Sequence, residues 1–299
     1  MRKNSFRSAR KKIIGALCSV ALVAGLCPAV ALADEGSKYT ASIQTEKTWA
    51  VDGTTFDVVL ASGAKDASTT LSCGQYTISY NSNIVSIDED SITADAAVTN
   101  LEKAVVTPGE AKVSFFGNTL TQSNIATLKF KAKATGNPEI KITDAVAGAS
   151  ENLDDQSVEF STDNLNVTVV KRFSDVFKSS SYYDIIYQAV AMGLIGGYSD
   201  GTFRPSIPLN RQQAAIMFYR AYGSETNVDQ TLLNSMTDQA TITNAEARNA
   251  IAWCANNNIV GGKTNKADGT KYFDPKASAT RAQFTKILVG AVTQNFLGK

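Results

Sequence analysis

Histidine is absent from all 299 residues. Its absence removes Ser-His-Asp and Cys-His catalysis and the commonest zinc sites. Cysteine is scarce: Cys18 and Cys27 lie in the first 33 residues, leaving Cys73 and Cys254, one in each half. Two are too few for a disulfide framework, and both are expected to be buried free thiols acting as small hydrophobes. No run rich in Lys and Arg follows residue 12, which excludes the usual footprint of nucleic-acid binding. Paired-carboxylate hydrolysis survives these exclusions. The acidic clusters Asp88-Glu89-Asp90 and Asp154-Asp155, however, stand among turn-forming residues and read as solvated loop charge. No catalytic residue, metal site or cofactor is assigned, and the chain is expected not to be an enzyme.

Long apolar runs are also missing after residue 33. Before it, Arg2, Lys3, Arg7, Arg10, Lys11 and Lys12 precede a nearly all-apolar stretch from Ile13 to Val30. Ala31-Leu32-Ala33 then offers a small-x-small cleavage site before Asp34. Residues 1–33 therefore read as a signal peptide, and a secreted chain with no membrane segment after cleavage is expected. Pro28 and the small residues at the cleavage site argue against an uncleaved anchor. Gln294 to Lys299 shows neither a hydrophobic tail nor a sorting motif, so a protein kept on the cell is expected to be held by its folded part.

Charge divides the rest. Residues 34–170 carry 9 Lys/Arg against 19 Asp/Glu, whereas residues 171–299 carry 14 against 9. Such asymmetry implies two domains, the basic one suited to an anionic partner. In an exported protein an acidic wall glycopolymer fits that description.

Residues 34–170 read as strands. Phe56, Val58 and Leu60 alternate with polar or smaller neighbours, as do Tyr76, Ile78 and Tyr80, then Leu128, Phe130 and Ala132, then Leu165, Val167 and Val169. This period of two marks half-buried strands. Turns are expected at Asp52-Gly53, Asn81-Ser82-Asn83, Pro108-Gly109, Gly117-Asn118 and Gly136-Asn137-Pro138. About nine short strands follow, which predicts an all-β, jelly-roll-like sandwich of two antiparallel sheets. Val51-Asp52-Gly53-Thr54-Thr55-Phe56-Asp57-Val58, Tyr76 to Val85 and Ile125-Ala126-Thr127-Leu128-Lys129-Phe130-Lys131-Ala132 resemble strands of cohesin modules. Asn81-Ser82 stands where that family usually has Asp-Pro. The resemblance implies capture of a dockerin-bearing partner or binding of polysaccharide.

Residues 171–299 repeat. Ile186 to Gly197 aligns with Ile251 to Gly262, Asp200-Gly201-Thr202-Phe203-Arg204-Pro205 with Asp268-Gly269-Thr270 and Phe273-Asp274-Pro275, and Asn210 to Ala214 with Thr280 to Phe284. Each copy reads as helix, Gly-rich loop, helix, with repeat 1 at 171–223, a linker at 224–235 and repeat 2 at 236–299. An all-α tandem is expected. Ser181-x-x-Asp184, Thr243-x-x-Glu246, Asn210-x-x-Gln213 and Thr280-x-x-Gln283 look like capping boxes. Gly196-Gly197 and Gly261-Gly262 are expected to stop the first helices in the left-handed conformation.

Phe173-Ser174-Asp175-Val176, Tyr183, Gly193 to Tyr198, Phe203-Arg204-Pro205 and Thr280-Arg281-Ala282-Gln283 closely resemble the S-layer homology (SLH) repeat. That resemblance implies non-covalent anchoring to secondary cell-wall polysaccharide. The family usually has three repeats and two are visible here, so association of copies into a homo-oligomer is expected to support binding. Arg211 and Arg281 fall at the first helical position, where backbone N–H groups and a guanidinium could together hold an anion. Alternatively, each arginine folds back onto carbonyls of the Asp-Gly-Thr-Phe loop or pairs with Asp200 or Asp268. Tyr198, Asp200, Gly197 and Gly262 complete the candidate polysaccharide site. The expected protein is thus a wall-anchored display module. The other reading is a secreted component of a polysaccharide-degrading system whose sandwich binds glycan.

Overall fold

The computed structural model describes residues 37–117, 119–149, 158–223, 226–280, 282–285 and 289. The leader, Asp154-Asp155 and Arg281 lie outside the described residues. The chain forms two compact units, Met1–Arg172 and Phe173–Lys299.

The first unit is a β-sandwich. One sheet runs β11 (Val158–Phe160), β1 (Tyr39–Gln44), β3 (Thr55–Ala64), β9 (Gln122–Ala132) and β5 (Val85–Ser86), with β6 (Ile92–Ala94) also paired to β9. The other runs β10 (Lys141–Gly148), β4 (Cys73–Ser79), β8 (Glu110–Phe115) and β7 (Leu101–Thr107). The alternation read from the sequence sets the register. Val58 faces Leu128 and Phe56 faces Phe130 across β3 and β9, with the two phenyl rings stacked 5.8 Å apart. Both sheets feed one core, with Leu60, Leu128 and Phe130 from the first and Tyr76, Ile78 and Phe115 from the second.

Two pairings depart from the all-antiparallel expectation. β1 pairs parallel with β11, and β2 (Trp49–Val51) pairs parallel with β12 (Thr168–Val170). Both use strands of three residues at the close of the unit, too short to show a period in sequence. Asp52-Gly53, Ser82-Asn83 and Pro108-Gly109 form turns as expected, whereas Asn118 lies outside the described residues and Gly136 is bridged to Val169. Gly109 takes φ 108° between β7 and β8, which suits a third turn position needing positive φ. Asn81 accepts the Asn83 N–H at 3.1 Å through its side chain, the local turn bond that an aspartate could also make.

The second unit contains α1 (Tyr183–Ala191), α2 (Arg211–Tyr222), α3 (Thr231–Asn234) and α4 (Ala245–Asn256). It is not purely helical. β13 (Lys263–Thr264) and β14 (Lys271–Tyr272) form an antiparallel pair inside the longer loop of repeat 2, where the five additional residues leave room for a hairpin. The core joins the repeats rather than filling each of them. Ala214, Ala215 and Phe218 of α2 pack with Ala247, Ala250, Ile251 and Cys254 of α4, with Leu233 of α3 and with Phe273. Residues 226–235 therefore supply core side chains as well as connection.

Helix ends follow chemistry that the sequence reading only partly located. Asn210 and Gln213 make the complete reciprocal capping box at the start of α2. Asn244, not Thr243, caps α4 by accepting the Ala247 N–H, and α1 has no side-chain cap. The left-handed stops are Gly193 (φ 72°) and Asn258 (φ 57°), at matching places in the two copies. Gly196-Gly197 and Gly261-Gly262 do not take positive φ, and of each pair only the second glycine, Gly197 or Gly262, has a steric reason to lack a side chain.

Candidate functional site

Each repeat builds its loop around one buried-edge carboxylate. Asp175 accepts the N–H groups of Phe203 and Arg204 at 2.8 and 2.7 Å. Asp238 accepts those of Phe273 and Asp274 at the same distances. In both copies the second donor has positive φ, 60° at Arg204 and 61° at Asp274, a conformation that costs a non-glycine residue about 1–2 kcal/mol. The two charge-assisted bonds hold that strained backbone in place. Partial burial would raise the Asp175 pKa, but the hydrogen bonds from Phe203 and Arg204 outweigh it and hold the carboxyl below its ordinary value. Met236-Thr237-Asp238 thus does in repeat 2 what Phe173-Ser174-Asp175 does in repeat 1, although the aspartate is the one residue the two share.

Gly197 and Gly262 admit this arrangement. A Cβ on Gly197 would collide with the Phe173 ring and come 2.6 Å from the Thr202 carbonyl oxygen. On Gly262 it would meet the Met236 Cε at 3.3 Å and the Tyr272 carbonyl at 3.2 Å. The motif residue at the start of each repeat therefore packs against the second glycine of the pair.

On the exposed side of the repeat 1 loop, Asp200 accepts the Thr202 hydroxyl at 2.6 Å and the Thr202 N–H at 2.9 Å. It pairs with Arg204 at 2.7 Å. The Thr202 bonds, and then Arg204, hold the Asp200 carboxyl down at about 2. The Arg204 guanidinium lies over the Tyr198 ring, 4.1 Å from its centroid, and Gln213 donates to the Tyr198 hydroxyl at 3.1 Å. Tyr198, Asp200 and Arg204 therefore form one exposed corner presenting an aromatic ring, a carboxylate and a cation. Repeat 2 places Lys263 where repeat 1 has Tyr198. Lys263 pairs with Asp274 at 2.6 Å and lies 5.9 Å from the Tyr272 ring centroid. Asp268 binds Thr270 as Asp200 binds Thr202. The cations Arg204 and Lys263 escaped the sequence reading, because Arg204 sits inside a motif read as turn and Lys263 matches a tyrosine.

Arg211 is placed differently from the anion-binding expectation. It is 5% exposed, and its Nε donates to the Phe273 carbonyl at 2.9 Å and an Nη to that of Gly261 at 3.0 Å. Its guanidinium rests 4.7 Å from the Phe273 ring centroid. The helix start beside it is also occupied: the N–H groups of Arg211 and Gln212 reach the carbonyls of Ala277 and Pro275, at 2.9 and 3.0 Å. The donors that would have bound an anion are taken by repeat 2. Arg211 folds onto loop carbonyls, as in the alternative reading, but onto the other repeat's loop.

Asp88, Glu89 and Asp90 are exposed, as loop charge should be. Cys254 is buried, and burial pushes its thiol up to about 12, whereas Cys73 is only half-buried. Among the described residues no group of three His, Cys, Asp or Glu side chains could hold a metal ion, and no helix is long and apolar enough to cross a membrane.

Residues 172–215 and 235–285 match the family model of the S-layer homology domain. Among curated proteins none matches the chain. Solved structures similar to it include a cohesin module from a Clostridium perfringens family 33 glycoside hydrolase, at 16% identity and TM-score 0.38, covering 46% of this chain and 99% of that one. The sixth cohesin of Acetivibrio cellulolyticus scaffoldin B, solved with a Cel5 dockerin, is 20% identical with TM-score 0.37, covering 46% and 100%. The OlpC cohesin of Clostridium thermocellum, in a type I cohesin–dockerin complex, is 15% identical with TM-score 0.38, covering 46% and 98%. The chain thus joins a β-sandwich to two segments that match the S-layer homology domain.

Proposed function

We propose that the C-terminal unit holds the protein non-covalently on anionic cell-wall polysaccharide, and that the β-sandwich is displayed there as a binding module. The S-layer homology match indicates association with a bacterial cell surface, through a domain that binds rather than catalyses. The observation that carries the polysaccharide reading is a cation beside a half-buried aromatic ring at each loop, Arg204 over Tyr198 and Lys263 near Tyr272. A cation beside an aromatic ring suits a sugar bearing a carboxylate: the ring supports the apolar face of the sugar while the cation meets its charge. The excess of basic residues over 171–299 favours the same partner. Tyr198, Asp200, Arg204, Lys263 and the backbone of Gly197 and Gly262 are the proposed contacts. Arg211 acts behind them by fixing the loop of repeat 2. For the sandwich, the cohesin-like strand motifs support a protein partner bearing a dockerin, with polysaccharide as the other candidate.

Co-sedimentation with purified wall sacculi tests the anchoring. Residues 171–299 are expected to sediment and 34–170 to stay in solution. Arg204→Ala and Lys263→Ala should each weaken binding by about two- to fivefold, as expected for exposed charge contacts, and added salt should do the same. Sedimentation of both halves alike, or of neither, overturns the reading.

A further inference from the structure

The main helix contact of the C-terminal unit is made between repeats, by α2 of the first packing on α4 of the second. Ala247, Ala250, Trp253 and Cys254 lie on the buried side of α4. The repeat alignment, which sets Ile186 on Ile251, puts Tyr182, Ile185, Gln188 and Ala189 at those places in α1. Here the face is open: Tyr182 is 65% exposed and Ile185 59%. Met192, 64% exposed, extends the stripe by another turn. Positions 182, 185, 189 and 192 recur at the spacing of one helical face. Among the described residues, α1 therefore presents the face that takes a second helix, with no second helix on it.

The complementary piece is on the same chain. Thr280-Arg281-Ala282-Gln283 stands in repeat 2 where Asn210-Arg211-Gln212-Gln213 starts α2, and Thr280 and Gln283 exchange the same capping bonds. Phe284 and Val289 occupy the places of Ala214 and Tyr219 in the alignment. Ala214 is fully buried in α2, whereas Phe284, with its ring centroid 6.2 Å from that of Phe218, is still 40% exposed and Val289 53%. One chain thus shows both halves of a contact that it makes once internally.

We propose that copies of this chain associate head to tail, the segment beginning at Thr280 of one copy seating on the Tyr182–Met192 stripe of the next. The contact repeats between chains what α2 and α4 make within one. It is heterologous, using two different surfaces, and it stands whether or not the unit binds wall polymer.

The test is sedimentation equilibrium of residues 34–299, with melting curves as a check on folding. The native chain is expected to self-associate with rising concentration. Ile185→Glu on one face and Val289→Glu on the other should each weaken that association at least about tenfold, since each places a charge in an apolar contact. Both side chains are exposed, so melting temperatures should hold. Met192→Glu serves the first face if Ile185→Glu does not fold. Leu232→Glu, at a position 49% exposed on neither face, should change nothing. An equimolar mixture of the two face variants should form a heterodimer, because each retains the surface the other has lost. A native chain that stays monomeric to about 0.1 mM, variants that associate like the native chain, or a mixture that fails to pair would each overturn the proposal. The last result would instead indicate a like-with-like patch or closure within one chain.

Discussion

Burial pulls the Arg211 guanidinium pKa down, while the carboxylates of Asp274 and Asp238 push it back up. A charge is kept in a nearly closed place because its fork joins carbonyls of Gly261 and Phe273, 50 and 62 residues away. No local pattern could reveal partners so distant. The sequence showed an arginine at a helix start, where a cation is disfavoured, and that oddity marked the position as unusual. It did not say whether the partner was a ligand or the chain itself. Arg211→Ala is expected to cost about 3 kcal/mol, since it breaks hydrogen bonds from a charged group and strands their acceptors. Lysine should recover only part, having lost the planar fork. Thermal unfolding measures the loss, and polymer binding by whatever remains folded should be unchanged. A fall in binding without a fall in melting temperature would return Arg211 to the ligand site.

Among the elements, the strands were the most legible, because a period of two leaves its mark in four residues. Val58, Leu60, Leu128 and Phe130 all point inward as their alternation required. The helix stops were less so. A pair of adjacent glycines looks like a place for positive φ, yet the stops are one turn earlier, at Gly193 and at Asn258. Asparagine tolerates that conformation, so the repeat could keep the geometry while losing the glycine that would have announced it. Gly196 and Gly197 can therefore be told apart by alanine. A Cβ on Gly196 meets nothing within 4 Å, whereas on Gly197 it drives into Phe173 and the Thr202 carbonyl. Gly196→Ala should lie within about 0.5 kcal/mol of the native stability, and Gly197→Ala should cost about 2 kcal/mol or more through overpacking. Chemical denaturation of residues 171–299 compares them. Equal effects would mean that the Phe173 ring is free to move aside.

For the C-terminal unit as a whole, the unit of sequence and the unit of folding are out of step. The motif begins at Phe173 and starts again at Met236, so the eye divides the chain near Gly223. The core divides it elsewhere. α2 closes the first copy in sequence but packs on α4 of the second, and Asn210 and Ser278 form a β-bridge that ties the start of α2 to the end of the second loop. In a tandem array each repeat leans on its neighbour, and here that dependence falls on a span offset by half a repeat. α1 keeps Ile186 and Tyr187 buried, with Phe173 stacked on Tyr187 at 5.7 Å, but among the described residues no second helix completes that cluster. The fragment 171–223 should accordingly show no cooperative melt. The offset fragment 208–280, which holds α2, α3, α4, the second loop and all the Arg211 acceptors, should unfold in one transition. Its melting temperature should fall within about 10 °C of that of 171–299, since what it lacks, α1 and the Phe173–Tyr187 pair, lies outside the α2–α4 core. A sharp transition in 171–223 and none in 208–280 would place the folding unit back on the repeat boundary.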